Sequence, residues 1–463
     1  MRVAACRGRT APATLMAALC VALSAWATVH AQPAGTSPVD AEDRRDRAEF
    51  GVGPLLDLAR LARAGDQPAL VRAVSALRGR IPLVEPDPRS PGRSIVTFLY
   101  LGDDEVRAVT LPQLRFGTVP FAQDAESPAL PPRSVPTSFR RLRQSALWYL
   151  RLNLPNTALL GYTIACERAA RTPGDPSRDV KIDEFLDPLN PEHLGRRGDV
   201  SILRLPGAPA QAWIVERPGA PKGRMEPASL HSSVLGETRR FSIYVPAGYE
   251  DLRENARLVF VFDGEWFASD LGATTVLDNL LHQGRIPPTV AVFVDPQETR
   301  DRDLVNSAAF ARFVATELHP WVVARYRVSR EARDTALAGA SFGGLCAAFI
   351  ALRYPGTFGN VLSQSGAFWP PPGWHHHTPN WAVLEQDSEL VDAYVRAPHQ
   401  PLRFYLESGL YEPAMLISNR RLRDVLRAKG YALTYVEHPG AHNALVWRNS
   451  LGDGLIALFG PGA

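Results

Sequence analysis

A lone serine between glycines ends one apolar run and opens the next, where Leu337 to Cys346 reads LAGASFGGLC. Gly339-Ala340-Ser341-Phe342-Gly343 fits G-x-S-x-G, in which a tight strand-to-helix turn lifts a hydroxyl clear of the backbone to attack an acyl carbon. Small residues also make ordinary turns, but here a predicted strand precedes the motif, a predicted helix follows, and Gly344 adds a further small position. A serine hydroxyl is a poor nucleophile until an imidazole takes its proton. His442, in PGAHN, follows the last predicted strand after a Pro-Gly turn and precedes the final helix. His438 is the rival, but it lies on the strand itself. The third member must be a carboxylate that fixes the imidazole tautomer. Strand RFYLESG ends at Gly409, and Glu412 in LYEP lies on the loop just beyond. Glu407, inside the strand, is the alternative; Asp387 and Asp392 precede the strand and are weaker candidates.

Negative charge developing on the attacked carbonyl needs donors. The amide of Phe342 is one, and the loop Asp263-Gly264-Glu265-Trp266 after strand RLVFVF should supply another, from Gly264 or Glu265. The plain alternative for DGEW is a strand-ending turn. Three adjacent imidazoles, His375-His376-His377, point in different directions in most backbones, so they read as an exposed loop. No His or Cys spacing suggests zinc, and neither metal nor cofactor is expected.

The elements that must position these groups are legible downstream of residue 226. RRFSIYVPAGY reads as an edge-type strand, RLVFVF and TVAVFVD as buried parallel strands, and AAFARFVATELHPWVVARY as helix. TALAGAS, NVLSQSG, RFYLESG and ALTYVEH continue the strands, interleaved with helices and closed by ALVWRNSLGDGLIALF. That alternation predicts an α/β, doubly wound sheet over 226–463. Short β-branched or aromatic segments (SIVTFLYLG, EVRAVTL, ALWYLRLNL, LLGYTIACE) predict a smaller β-sandwich domain with its linker over 92–225. Helical spacing of Leu55, Leu58, Leu61, Leu70 and Val74 predicts a helical N-terminal extension over 32–91.

Residues 1–31 carry Arg2, Arg7 and Arg9, an apolar stretch from Ala11 to Val29, and small residues before Gln32; this pattern predicts a Sec-type signal peptide and a periplasmic protein. The apolar stretch is short for a membrane anchor, and Cys20 follows Leu19 rather than the small residue that lipid attachment needs. Of the 51 basic residues, three leave with this segment, so 48 face 48 acidic ones. Such balance gives no reason to expect nucleic-acid or general membrane binding. Cys166 and Cys346 would remain, too few and too far apart for a disulfide framework, and read as buried small apolar residues.

FDGEWFASD, the whole serine region through SQSGAFWP, LESGLYEP and PGAHNALVWRNSLGDGLIALF together resemble the enterochelin (ferric enterobactin) esterase family. The resemblance extends more weakly over the β-rich region and DPLNP, and so covers most of 92–463. It implies an α/β-hydrolase whose N-terminal domain helps wall the pocket, and a serine esterase acting in iron acquisition on catecholate trilactone siderophores, iron-loaded or free. Ser341, His442 and Glu412 occupy matching motif positions, and the family's arginine segment appears as Thr299 to Leu304 with an aspartate in place of a glutamate. A flat, aromatic, anionic ligand would suit Arg300 and Arg302 as well as Trp266, Phe368 and Trp369, although packing or solvation explains each equally simply. Two other readings stand beside it: a carbohydrate-ester (acetyl or feruloyl) esterase, and a catalytically silent siderophore-binding protein, which the intact serine, histidine and acid speak against.

Overall fold

The computed structural model describes residues 38–112, 137–169, 180–194, 200–373 and 388–462, so the expected leader, Asp387 and the three histidines at 375–377 lie outside the described residues. The described residues up to Arg60 form one compact unit and those from Leu61 another. In the first, helix Pro38–Phe50 is tied by Asp43 to Arg60 at 2.8 Å.

The second unit opens with helix Gln67–Ala76, capped by Asp66. Ten strands follow: β1 (Leu83–Pro86), β2 (Arg93–Leu101), β3 (Val106–Thr110), β4 (Arg140–Arg141), β5 (Leu147–Pro155), β6 (Leu159–Tyr162), β7 (Ile164–Ala169), β8 (Val180–Phe185), β9 (His193–Leu194) and β10 (Val200–Arg204). They form three small antiparallel sheets, ordered β1-β2-β5-β4, β6-β10-β9 and β3-β7-β8, around a core that includes Phe98, Leu150 and Tyr162. The helical expectation for 32–91 is corrected at its end, because β1 pairs along β2. DPLNP is a buried brace: the Tyr162 hydroxyl donates to Asp187 at 2.7 Å, and Asn190 donates to the carbonyl of Ile202.

Eight strands build the remaining sheet: β11 (Arg224–Ser232), β12 (Glu237–Val245), β13 (Arg257–Phe262), β14 (Thr289–Val294), β15 (Thr335–Ala340), β16 (Asn360–Gln364), β17 (Arg403–Gly409) and β18 (Ala432–His438). The order is β11-β12-β14-β13-β15-β16-β17-β18; β11 and β12 are antiparallel and the rest run parallel. Every residue of β14, β15 and β16 is buried, as strands covered by helices on both faces must be. β11 straddles the expected start of this region at 226 and takes the sheet edge, which makes RRFSIYV an interior strand rather than an edge one. The chain reverses its direction of winding between β13 and β15, and the crevice outside the C-terminal ends of two such strands is where open α/β sheets bind ligands. Asp263 and Ser341 are the residues that leave those two ends.

Candidate active site

Ser341 sits between β15 and helix Phe342–Arg353 at φ 56°, ψ −119°, a conformation that costs an L-residue strain and is kept only where the surroundings hold it. They do so through three backbone bonds: the Ser341 amide donates to the Gln364 carbonyl at 2.9 Å, and the Ser341 carbonyl accepts from Leu345 and Ala367. The neighbours must be small. A Cβ on Gly339 would lie 2.6 Å from the Gly343 carbonyl carbon, and one on Gly344 would run into Ser363 Oγ.

His442 comes from the loop between β18 and helix Ala444–Phe459, and its Nε2 lies 3.0 Å from Ser341 Oγ. Its Nδ1 lies 2.5 Å from Glu412 Oε2. An ionised carboxylate only accepts, so Nδ1 carries the proton and Nε2 is left to accept from the serine hydroxyl. Glu412 is 3% exposed and His442 34%, so the acid is sealed while the imidazole faces the cavity. The loop that carries the histidine is backed by the β-rich region: the Leu159 amide donates to Pro439, and Tyr411 and Ala441 join the core of β2, β5 and β6.

The three groups open on a cavity of about 900 Å³ whose wall includes Trp266, Arg300, Met415 and Trp447, with Leu194 and Val200 contributed by the β-rich region. Phe342 is the first residue of its helix, and first-turn amides have no partner within the helix. Gly264 and Glu265 line a separate surface cavity of about 840 Å³, while their neighbours Asp263 and Trp266 line the cavity that holds Ser341.

Several expected binding residues are placed elsewhere. Arg302 is turned away and pairs with Glu237 and with Asp303 at 3.0 Å. Phe368 is wholly buried in the core, and Trp369 stands against Phe342 with ring centroids 6.0 Å apart rather than lining the cavity. Arg300 does reach the cavity, but its guanidinium forks onto Asp263 with two 2.7 Å bonds and lies 5.5 Å from the Phe342 ring centroid. Glu407 is not the partner of His442; it accepts from Ser450, Tyr405 and Gln364 instead. Among the described residues no cluster of His, Cys, Asp or Glu could hold a metal, and no helix is long and apolar enough to cross a membrane. Cys166 and Cys346 are free and buried. Sequence reasoning missed the Asp263 fork and the hydroxyl of Ser365, although that serine stands one residue past β16, beside the strand that leads into Ser341.

Comparison with known proteins agrees with this fold. The putative esterase family matches residues 232–458, and the enterochelin esterase N-terminal family matches 127–214. The iron(III) enterobactin esterase of Escherichia coli O6:H1 is 36% identical over 289 residues, spanning 61% of this chain and 70% of that one. Its counterpart from Dickeya dadantii is 28% identical over 409 residues, spanning 82% and 90%. The crystal structure of ferric enterobactin esterase from Salmonella typhimurium superposes with a TM-score of 0.63 at 26% identity, covering 81% of this chain and 95% of that one. That of the Shigella flexneri enterobactin esterase in the presence of enterobactin gives 0.62 at 26% identity, covering 81% and 95%. The sheet, the serine elbow and these matches define a carboxylic ester hydrolase of the α/β-hydrolase type with an N-terminal domain. Within that class, the chain belongs to the iron(III) enterobactin esterase family.

Proposed function

We propose that this protein opens the ester backbone of catecholate trilactone siderophores such as enterobactin, with Ser341 as nucleophile, His442 as general base and Glu412 as the acid that holds the imidazole. The observation that carries the reading is the unbroken line from Ser341 Oγ through His442 to Glu412 at the mouth of a cavity shared with the β-rich region. Ser341 Oγ attacks the ester carbonyl while its proton passes to His442 Nε2, and Glu412 stabilises the resulting imidazolium. The Phe342 amide faces the developing oxyanion, an interaction worth about 3 kcal/mol of barrier. His442 then returns the proton to the leaving seryl oxygen, the ester C–O bond breaks, and an acyl group stays on Ser341. Water, deprotonated by the same imidazole, releases the acid and restores the hydroxyl.

Chromatography of purified protein incubated with the trilactone, its linear oligomers and feruloyl or acetyl sugar esters tests the reading. Dihydroxybenzoylserine released from the trilactone is expected; turnover of the sugar esters alone would refute it. The basic start and apolar stretch of residues 1–31 support a periplasmic location. A chain recovered from cells with Met1 still attached, rather than starting near Gln32, would count against that location.

A further inference from the structure

Glu412 is held by more than the histidine. Its Oε1 accepts from the Gly409 amide and from the hydroxyl of Ser365. Ser365 is fully buried and sits at φ 48°, in the left-handed region where a serine is strained. Its oxygen also accepts from Trp447 Nε1 at 3.0 Å. An indole nitrogen can only donate, so that bond occupies a lone pair of Ser365 Oγ and leaves the hydroxyl proton to point at Glu412. The ring of Trp447 then packs roughly perpendicular to that of His442, with centroids 4.8 Å apart at 84°. Glutamate, serine, tryptophan and histidine therefore close a circuit in which one indole touches the base directly and reaches the acid through the Ser365 hydroxyl.

We propose that Ser365, oriented by Trp447, is a positioning residue for this esterase: it fixes one carboxylate oxygen of Glu412 so that the other meets His442 Nδ1. The proposal rests on the catalytic reading above. A turn-forming role for Ser365 makes the opposite forecast, because glycine would meet the positive φ better than serine does. A strained side chain kept where glycine is easier points to its hydroxyl.

The test compares Ser365→Gly, Trp447→Phe, the double variant and Glu412→Gln for kcat and KM on the trilactone, with Tm measured alongside. The glycine variant is expected to keep or raise Tm, to lose about 10-fold or more in kcat and to hold KM, the size of effect a hydrogen bond to a charged group carries. Trp447→Phe should cost several-fold in the native background and much less once Ser365 is glycine, since the indole N–H then has no hydroxyl to orient. Ser365→Ala, which keeps a side chain at the strained position, should match the glycine variant in kcat while losing Tm. Native kcat in both Ser365 variants, or full additivity of the Ser365 and Trp447 changes, overturns the proposal. Native kcat in Glu412→Gln would instead overturn the catalytic reading beneath it, so the two failures are told apart.

Discussion

Two histidine–glutamate pairs stand at the neighbouring ends of β17 and β18, their glutamates five residues apart and their histidines four, and they differ in almost everything but composition. On the loop beyond β17, Glu412 meets His442 at 2.5 Å, and that imidazole faces both the serine and the cavity. Inside the ladder, Glu407 is 1% exposed and takes bonds from Ser450, from Tyr405 at 3.1 Å and from Gln364 at 3.3 Å. Its nearest histidine is His438, 3.9 Å away on β18, with neither ring nitrogen hydrogen-bonded. Burial pushes the Glu407 carboxyl up to about 7 against those three donors, and burial lowers His438, so the charged form of each is disfavoured beside a small cavity of about 240 Å³. A carboxylate works as a partner when the chain lets it reach across to the next loop. One fixed in the pleat can point only where the strand points it.

Substituting the histidine of each pair gives the largest contrast. His442→Gln is expected to lower kcat by about 10⁶-fold, the loss typical of removing the base from a serine triad. His438→Gln should leave turnover within a few-fold, since that ring touches neither the serine nor the cavity that holds it. Comparable losses in steady-state kinetics would erase the distinction between the pairs.

A smaller effect sharpens it through stability. Glu407 binds its proton more tightly in the fold than in the unfolded chain, where its ordinary value is 4.5. Its contribution is therefore whole below pH 4.5 and is lost as pH rises to about 7, a change on the order of 3 kcal/mol. His438 runs the other way: the fold disfavours its charged form, so its share is lost as pH falls below its ordinary 6.5. Glu407→Gln removes only the first of these. Denaturant midpoints of the variant should gain on the native protein between pH 5 and pH 8; parallel curves would show that Glu407 ionises without cost.

The hydrogen-bonded line of serine, histidine and glutamate was more legible in the sequence than the walls around it. Ser341, His442 and Glu412 could be singled out because chain order and strand ends restrict where such groups can sit. Apolar runs such as TVAVFV announced strands buried on both faces. β11, whose residues Arg224–Ser232 alternate between exposed and half-buried, carries no such run, so the sheet edge was assigned one strand too late. LVEP at β1 is four residues long, too short to show a period of its own. The arginines misled for a different reason. Whether a guanidinium is free depends on partners far along the chain, Asp263 for Arg300 and Glu237 for Arg302, and composition does not reveal such pairings. The aromatic Phe368 looked like a ligand surface and proved to be core, the commoner fate of such a side chain.

The choice between the two acids can be measured at the nucleophile itself, without any siderophore. Native protein, Glu412→Gln and Glu407→Gln would be treated with a fluorophosphonate and the labelled peptide located by mass spectrometry. The label should fall on Ser341 in each, about 10⁴-fold more slowly in Glu412→Gln and at a near-native rate in Glu407→Gln. Labelling of another residue, or a slow Glu407→Gln beside a fast Glu412→Gln, would contradict the line from Ser341 through His442 to Glu412.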